Sequence, residues 1–213
     1  MHKINKDTWK RKKHFDFFNT MEFPRYSVTL NIDISALVPF VKKHQISLSN
    51  ALLYLTSRAM NEVEEFRMRI RDNEVYVHDV IHPSLTILSE DETFHFGEVK
   101  FTDDFKVFNE NATVTARIAK EEQNLSDEEG RDDYIFISSL PWFSFTSLSH
   151  PVHLDITKLS IPRITWGKYF TSDGKIYLPL SLDVNHALVD GIHIGKFVTL
   201  LNTYLADLTT YLH

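Results

Sequence analysis

Between Tyr26 and Ile34 the chain alternates, with Tyr26, Val28, Leu30, Ile32 and Ile34 apolar and Ser27, Thr29, Asn31 and Asp33 polar. A period of two predicts a strand with one buried face. Asp33 or Ser35 is then placed to cap a short helix through Ala36 to Lys43, where Pro39 is tolerable only in the first turn. Ser49 predicts the start of a second helix, with Leu52, Leu53, Ala59 and Met60 as its apolar positions. Glu74 to Val80 and Leu85 to Leu88 read as strands. Asp103 to Lys120 reads as a helix carrying Phe105, Phe108, Ala112, Thr115 and Ala119 along one side. Tyr134 to Ser138 is short, apolar and β-branched, which predicts a strand. Lys175 to Val184 predicts another, after the turn signal Ser172-Asp173-Gly174. Ile194, Phe197, Val198, Leu201, Tyr204, Leu205 and Leu208 fall at helical spacing, predicting a helix from just after Gly191 to the end.

Strands and helices mix here without the regular alternation and glycine fingerprint of a nucleotide-binding βαβ fold. The pattern implies an α+β domain on a mixed, mainly antiparallel sheet. No repeat or low-complexity linker interrupts it. The acidic stretch from Lys120 to Asp133, with Gly130, reads as an exposed loop, so residues 1–213 are expected to form a single domain.

Composition narrows the function classes. Hydrophobic residues make up 43% of the 213, with 16 phenylalanines, which is ample for a core. The net charge of -6 argues against nucleic-acid binding, although Lys10, Arg11, Lys12 and Lys13 form a local basic run. There is no cysteine, which removes disulfides, thiolate metal sites and thiol nucleophiles. The N-terminus lacks the apolar stretch of a signal peptide, and no run approaches the ~20 residues of a membrane span. A soluble, cytoplasmic protein is the expectation.

Candidate chemistry concentrates in Val184-Asn185-His186-Ala187-Leu188-Val189-Asp190-Gly191, between the strongest late strand and the strongest helix. An imidazole at such a junction is held by a rigid element yet accessible, and its unperturbed pKa of about 6.5 suits general-base work. Asp190 could pair with a cation or cap the following helix. The ordinary alternative is a structural histidine before an Asp-Gly turn. His186, Asp190 and His193 would share a face on one continuous helix and could bind a metal, but Gly191 marks a turn and helix start, so no metal site is expected.

This stretch resembles the His-His-x-x-x-Asp-Gly signature of the chloramphenicol acetyltransferase family, whose second histidine is the base. Further blocks follow in the family's order. Trp9 to Phe15 resembles Trp-x-Arg-x-x-His-Phe, Glu65-Phe66-Arg67-Met68 its Glu-Phe-Arg-Met segment, and Asp91 to Phe94 its Glu-Thr-Phe segment. Ser138-Ser139-Leu140-Pro141-Trp142 resembles Ser-Ala-x-Pro-Trp, and Thr165 to Tyr169 and Leu178-Pro179-Leu180 complete the series. The resemblance implies a two-layer α+β sandwich, a homotrimer with active sites at subunit interfaces, and direct acetyl transfer from acetyl-CoA to a hydroxyl with no tightly bound cofactor. It also implies roles. His186 would be the general base, Ser138 would hydrogen-bond the oxyanion, and Thr165 would support the intermediate through water. Arg11 and Asp190 would form a buried ion pair. Tyr169 and Lys168 would meet coenzyme A, and Phe17, Phe18 and Phe94 would line the acceptor pocket. Antibiotic resistance is the biological role that the resemblance suggests.

The chain departs from the pattern at three places, one of them Glu22, where an apolar pocket residue is usual. Asn185 replaces the first histidine, and Asp183 stands where glutamine is usual, in a position to alter acceptor binding. Three rivals follow: an acetyltransferase for a different alcohol, the acyltransferase core of a 2-oxo acid dehydrogenase complex, and a catalytically silent trimer that binds a ligand. The second would need a lipoyl domain and a Pro/Ala-rich linker that this sequence does not contain.

Overall fold

The computed structural model describes all residues except 123–124, 126–129 and 152–154. In chain order the elements are β1 (His2–Lys3), α1 (Lys12–Phe18), β2 (Arg25–Asp33), α2 (Leu37–His44), α3 (Leu48–Glu62), a 3-10 turn (Glu64–Arg67), β3 (Met68–Arg71), β4 (Glu74–Val77), β5 (His82–Leu88) and β6 (Phe94–Glu98). They continue with α4 (Phe105–Glu122), β7 (Tyr134–Leu140), α5 (Ile156–Leu159), β8 (Arg163–Gly167), β9 (Phe170–Ser172), β10 (Lys175–Asn185), α6 (Gly191–Ala206) and α7 (Leu208–Tyr211).

The main sheet runs β2-β10-β8-β7-β5-β6, with β9 paired to β10. The pairs β2/β10, β8/β10, β9/β10 and β5/β6 are antiparallel, whereas β7 runs parallel to both β5 and β8. A smaller antiparallel sheet orders β1-β4-β3. The mixed, mainly antiparallel sheet packed by helices is the α+β architecture expected from the sequence. The buried guanidinium of Arg69 ties the small sheet to the main one, donating to the carbonyls of Phe66, Met68, Asp132 and Tyr134.

Register partners share a face, so the pairing sorts the main sheet into two sides. One carries Val28, Leu30 and Ile32 of β2, Leu178 to Val184 in alternation on β10, Ile164 and Trp166 of β8, and Ile135 and Ile137 of β7. The helices cover it: α4 packs on β5 and β6, α3 packs on α4 and α6, and the apolar side chains of α6 join the same core. Gly97 lets α4 approach, because a Cβ there would lie 2.8 Å from Thr115 Cγ2 and 2.7 Å from Ile87 Cδ1. The opposite side carries polar residues on β2, β8 and β10, with the rings of Phe136, Phe94 and Phe96 farther along it.

Several boundaries differ from those expected. Ser47, not Ser49, caps α3, its hydroxyl accepting from Asn50 N–H at 3.3 Å. Asp33 turns its carboxylate onto Ser35, and α2 starts after Ala36 with no side-chain cap. The last helix breaks at Asp207, which caps the separate turn of α7. The strands expected to end at Val80 and Ser138 end at Val77 and Leu140. The segment read as an acidic loop falls partly outside the described residues, and α4 runs on to Glu122 at its start. No helix of the described residues is long and apolar enough to cross a membrane.

Candidate active site

β10 delivers the chain to a tight turn at its C-terminal end. The Asn185 carbonyl accepts from Leu188 N–H and Val189 N–H at 3.1 and 2.9 Å. The Asn185 side-chain oxygen accepts from Ala187 N–H at 2.9 Å. A short amide that hydrogen-bonds two residues ahead fixes a turn by itself. The backbone N–H of His186 donates to the Pro24 carbonyl at 2.7 Å, anchoring the turn beside the entry to β2.

The imidazole of His186 lies between two rings. Phe18 stacks on it at 4.0 Å between centroids and 9° between planes, and Tyr26 meets it at 4.5 Å and 40°. Its Nδ1 is buried with no hydrogen-bond partner among the described residues. The residue as a whole is partly exposed, so Nε2 is the nitrogen left for a substrate. Tyr26 also buries its hydroxyl without a partner among the described residues, and burial, reinforced by Asp190, pushes its pKa up to about 12.

Arg11, just ahead of α1, clamps the turn from outside. Its Nη2 donates to the His186 carbonyl at 2.8 Å and its Nε to the Ala187 carbonyl at 3.4 Å. Nη1 lies 3.4 Å from Asp190 Oδ2. The Asp190 side chain is 40% exposed, so this pair is not the buried one expected; the carbonyl bonds hold Arg11 more than the charge does. Burial works to raise the Asp190 pKa, but the Gly191 N–H and Arg11 outweigh it and hold the carboxyl below its ordinary value.

Asp190 caps α6, so His186, Asp190 and His193 occupy a turn, a cap and a first helical turn, not one helix face. Among the described residues no cluster is arranged to hold a metal ion. His193 Nδ1 accepts from Asp190 N–H at 2.8 Å, which puts the ring hydrogen on Nε2, 3.3 Å from Glu65 Oε1. A histidine thus takes the place that Glu or Gln fills in a capping box. Burial lowers its pKa, favouring this neutral form. Behind the turn, Arg11 and His193 open onto a surface groove of about 590 Å³ that also touches Trp9, His14 and Glu65; His186 does not line it.

The other candidate groups lie on the polar side of the sheet. Ser138 of β7 is paired with Thr165 of β8, and Thr165 with Ser181 of β10. Thr86 of β5 donates to the Ser138 hydroxyl at 3.0 Å. Four strands thus contribute a row of hydroxyls. Thr165 Oγ1 lies 3.0 Å from His150 Nε2, and Ser181 Oγ is buried without a partner among the described residues. Phe94, half exposed, opens β6 on this same face. One row along, Asp183 is engaged throughout: its Oδ1 takes Arg25 and its Oδ2 takes the Ser27 hydroxyl at 2.7 Å. Both oxygens of Asp183 are thus engaged within the chain.

At the far end of β8, Lys168 and Tyr169 are exposed beside Trp142 and Phe143. Lys168 N–H donates to the Phe143 carbonyl at 2.8 Å. Gly167 permits this approach, since a Cβ there would stand 2.9 Å from that carbonyl oxygen. Phe17, next to Phe18, is 63% exposed.

The two groups are well separated within one chain. Ser181 lies four residues before Asn185 and two strands from Ser138. With a strand rise of about 3.3 Å and a spacing of about 4.8 Å, the Cα atoms of Asn185 and Ser138 are about 16 Å apart.

The model of the chloramphenicol acetyltransferase family matches residues 1–202. The chain belongs to the chloramphenicol acetyltransferase family. Members of this family are acetyl-CoA-dependent O-acetyltransferases. A chloramphenicol acetyltransferase of Escherichia coli is 32% identical over 197 residues, covering 92% of this chain and 90% of the relative. One from Clostridium perfringens is 32% identical over 212 residues, covering 98% and 96%. A solved chloramphenicol acetyltransferase superposes with a TM-score of 0.85 at 25% identity, covering 96% of this chain and all of that one. The Azotobacter vinelandii dihydrolipoamide acetyltransferase shares the fold, with a TM-score of 0.70 at 18% identity over 94% and 88%.

Sequence reasoning did not single out Tyr26, Thr86, His150, Arg25 or Arg163. Tyr26 carried a signal, as the one hydroxyl-bearing residue on the apolar side of an otherwise aliphatic strand. Arg25, Thr86 and Arg163 are brought to the site by strand register, which no local pattern encodes, and His150 by the connection between β7 and α5.

Proposed function

We propose that this chain, as one domain over residues 1–213, transfers the acetyl group of acetyl-CoA to the hydroxyl of chloramphenicol or a related alcohol. His186 Nε2 removes the proton from the acceptor hydroxyl as its oxygen attacks the thioester carbonyl carbon. That tautomer carries its hydrogen on Nδ1. The tetrahedral oxyanion accepts a hydrogen bond from Ser138, with Thr165 supporting it through water. Collapse expels the thiolate of coenzyme A, which takes the proton back from the imidazolium. Lys168 and Tyr169 meet the coenzyme, while Phe17, Phe18 and Phe94 surround the acceptor. Charge developing on one oxygen in a site shielded from water is where a fixed donor contributes most.

The observation that carries this reading is the separation of His186 from the hydroxyl row. Reacting atoms must come within about 3–3.5 Å of each other. With Asn185, the residue before the base, about 16 Å from Ser138 between Cα atoms, the base and the oxyanion donor are too far apart to flank one carbon within a single chain. Two copies facing each other could bring His186 of one to Ser138 of the next, and a closed homotrimer would form three such sites.

The test is complementation. His186→Ala and Ser138→Ala, each assembled alone, are expected to lose about 10²–10⁴-fold and 10²–10³-fold in kcat respectively. Unfolding and reassembling the two as a mixture restores thiol release from acetyl-CoA in the presence of chloramphenicol, because some interfaces regain both side chains. A mixture as inactive as its parts rules out the shared site. Ser138→Ala should leave both KM values nearly unchanged, since its bond strengthens only in the transition state.

A further inference from the structure

Arg163 opens β8 on the polar face, register-paired with Phe136 on one side and Asp183 on the other. Two residues along the strand, about 7 Å away, stands Thr165 of the hydroxyl row. Arg163 is partly buried, and its Nη1 is fully buried with no hydrogen-bond partner among the described residues. The carboxylate opposite does not supply one. Asp183 is taken by Arg25 and Ser27, and Arg25 spends its remaining donors on the carbonyls of Leu159, Ile161 and Asp183.

The charges on this patch therefore do not balance. Arg25 and Arg163 bring two cations to a single carboxylate. His150 does not offset them, because burial, and then Arg163, lowers its pKa toward the neutral form. Burial and the neighbouring Arg25 push the Arg163 pKa down to about 10, still far above neutrality, so the guanidinium stays charged. The Phe136 ring, 5.9 Å away, offers a cation–π contact but no hydrogen-bond acceptor. A partly buried cation with an unmet donor is costly until an anion joins it.

Position says which molecule brings that anion. β8 has Arg163 at one end and Lys168 and Tyr169 just beyond the other, with Thr165 and its neighbour Ser138 between them. If the coenzyme lies toward Lys168, as proposed above, the acceptor approaches the hydroxyl row from the Arg163 side. We infer that the preferred acceptor is an alcohol carrying a carboxylate or phosphate, which pairs with the Arg163 guanidinium while its hydroxyl lies at the Ser138–Thr165 row. The inference rests on the acetyl-transfer reading for the word acceptor, but the anion site can be tested without turnover. The planar fork of arginine matches both anions with two parallel hydrogen bonds.

The experiment compares 4-(hydroxymethyl)benzoate and 4-(hydroxymethyl)phenyl phosphate with the neutral 4-(hydroxymethyl)benzamide, by calorimetry on the assembled protein. The wild type is expected to bind one or both anions about tenfold or more tighter than the amide, as suits a charge-assisted bidentate pair. Arg163→Leu should erase that preference and Arg163→Lys keep part of it. Thiol release from acetyl-CoA should follow the same order. Anion preference without thiol release supports the site and sinks acetyl transfer instead. No preference in the wild type, or one that survives in Arg163→Leu, overturns the inference. So does a rise in KM for acetyl-CoA alone in Arg163→Leu, which would assign the cation to the phosphates of the coenzyme. Dissociation of Arg163→Leu in sedimentation, with no anion preference in the wild type, would assign it to a carboxylate of a neighbouring copy.

Discussion

β10 presents two sides drawn from alternating residues of one strand. Toward the helices it offers Leu178, Leu180, Leu182 and Val184; away from them it offers Ser181, Asp183 and Asn185. Both sets are buried to a similar degree. They differ in what burial does. Hydrocarbon removed from water stabilises in proportion to its area, while a polar atom removed from water costs unless it finds a partner. The apolar side is closed within the chain, whereas Ser181 Oγ and Asn185 Nδ2 remain without partners among the described residues. The same strand thus stabilises the fold with one side and leaves the other to be completed by a ligand or another copy.

Substitutions on the two sides can sharpen or break this contrast. The largest loss is expected from Arg25→Ala, about 3–5 kcal/mol, because it strands the Asp183 carboxylate in a buried site. Urea unfolding would check it, and a loss below about 1 kcal/mol would mean the polar side does not depend on the pair. Leu182→Ala, one residue away on the opposite side, should cost about 2–5 kcal/mol through the cavity it leaves. Ser181→Ala is expected to change stability least, within about 0.5 kcal/mol, since no side-chain bond among the described residues is lost. A cost well above 1 kcal/mol for Ser181→Ala would show that the assembled protein satisfies that hydroxyl.

Much of the architecture was legible because a strand or helix with one buried side writes its period into the sequence. Tyr26 to Ile34 and Lys175 to Val184 became β2 and β10, and the apolar spacing after Gly191 became α6. Boundaries were less legible where neighbouring residues offered equal chemistry. Ser47 and Ser49 can both cap, and the one that does so is set by where the chain leaves α2. The stop at Asp207 had no glycine or proline to announce it. Of the candidate site, the His186 turn stood out locally through its Asn, Asp and Gly. The Arg25–Asp183 pair spans 158 positions and the Arg11 bond to the His186 carbonyl spans 175, so both appear only once the strands are in register.

The asparagine at the foot of the His186 turn has a consequence for acid tolerance. An amide oxygen holding Ala187 N–H has no proton to gain or lose across the range where imidazoles titrate. That hydrogen bond therefore persists through mild acid, and the turn it closes is not loosened there.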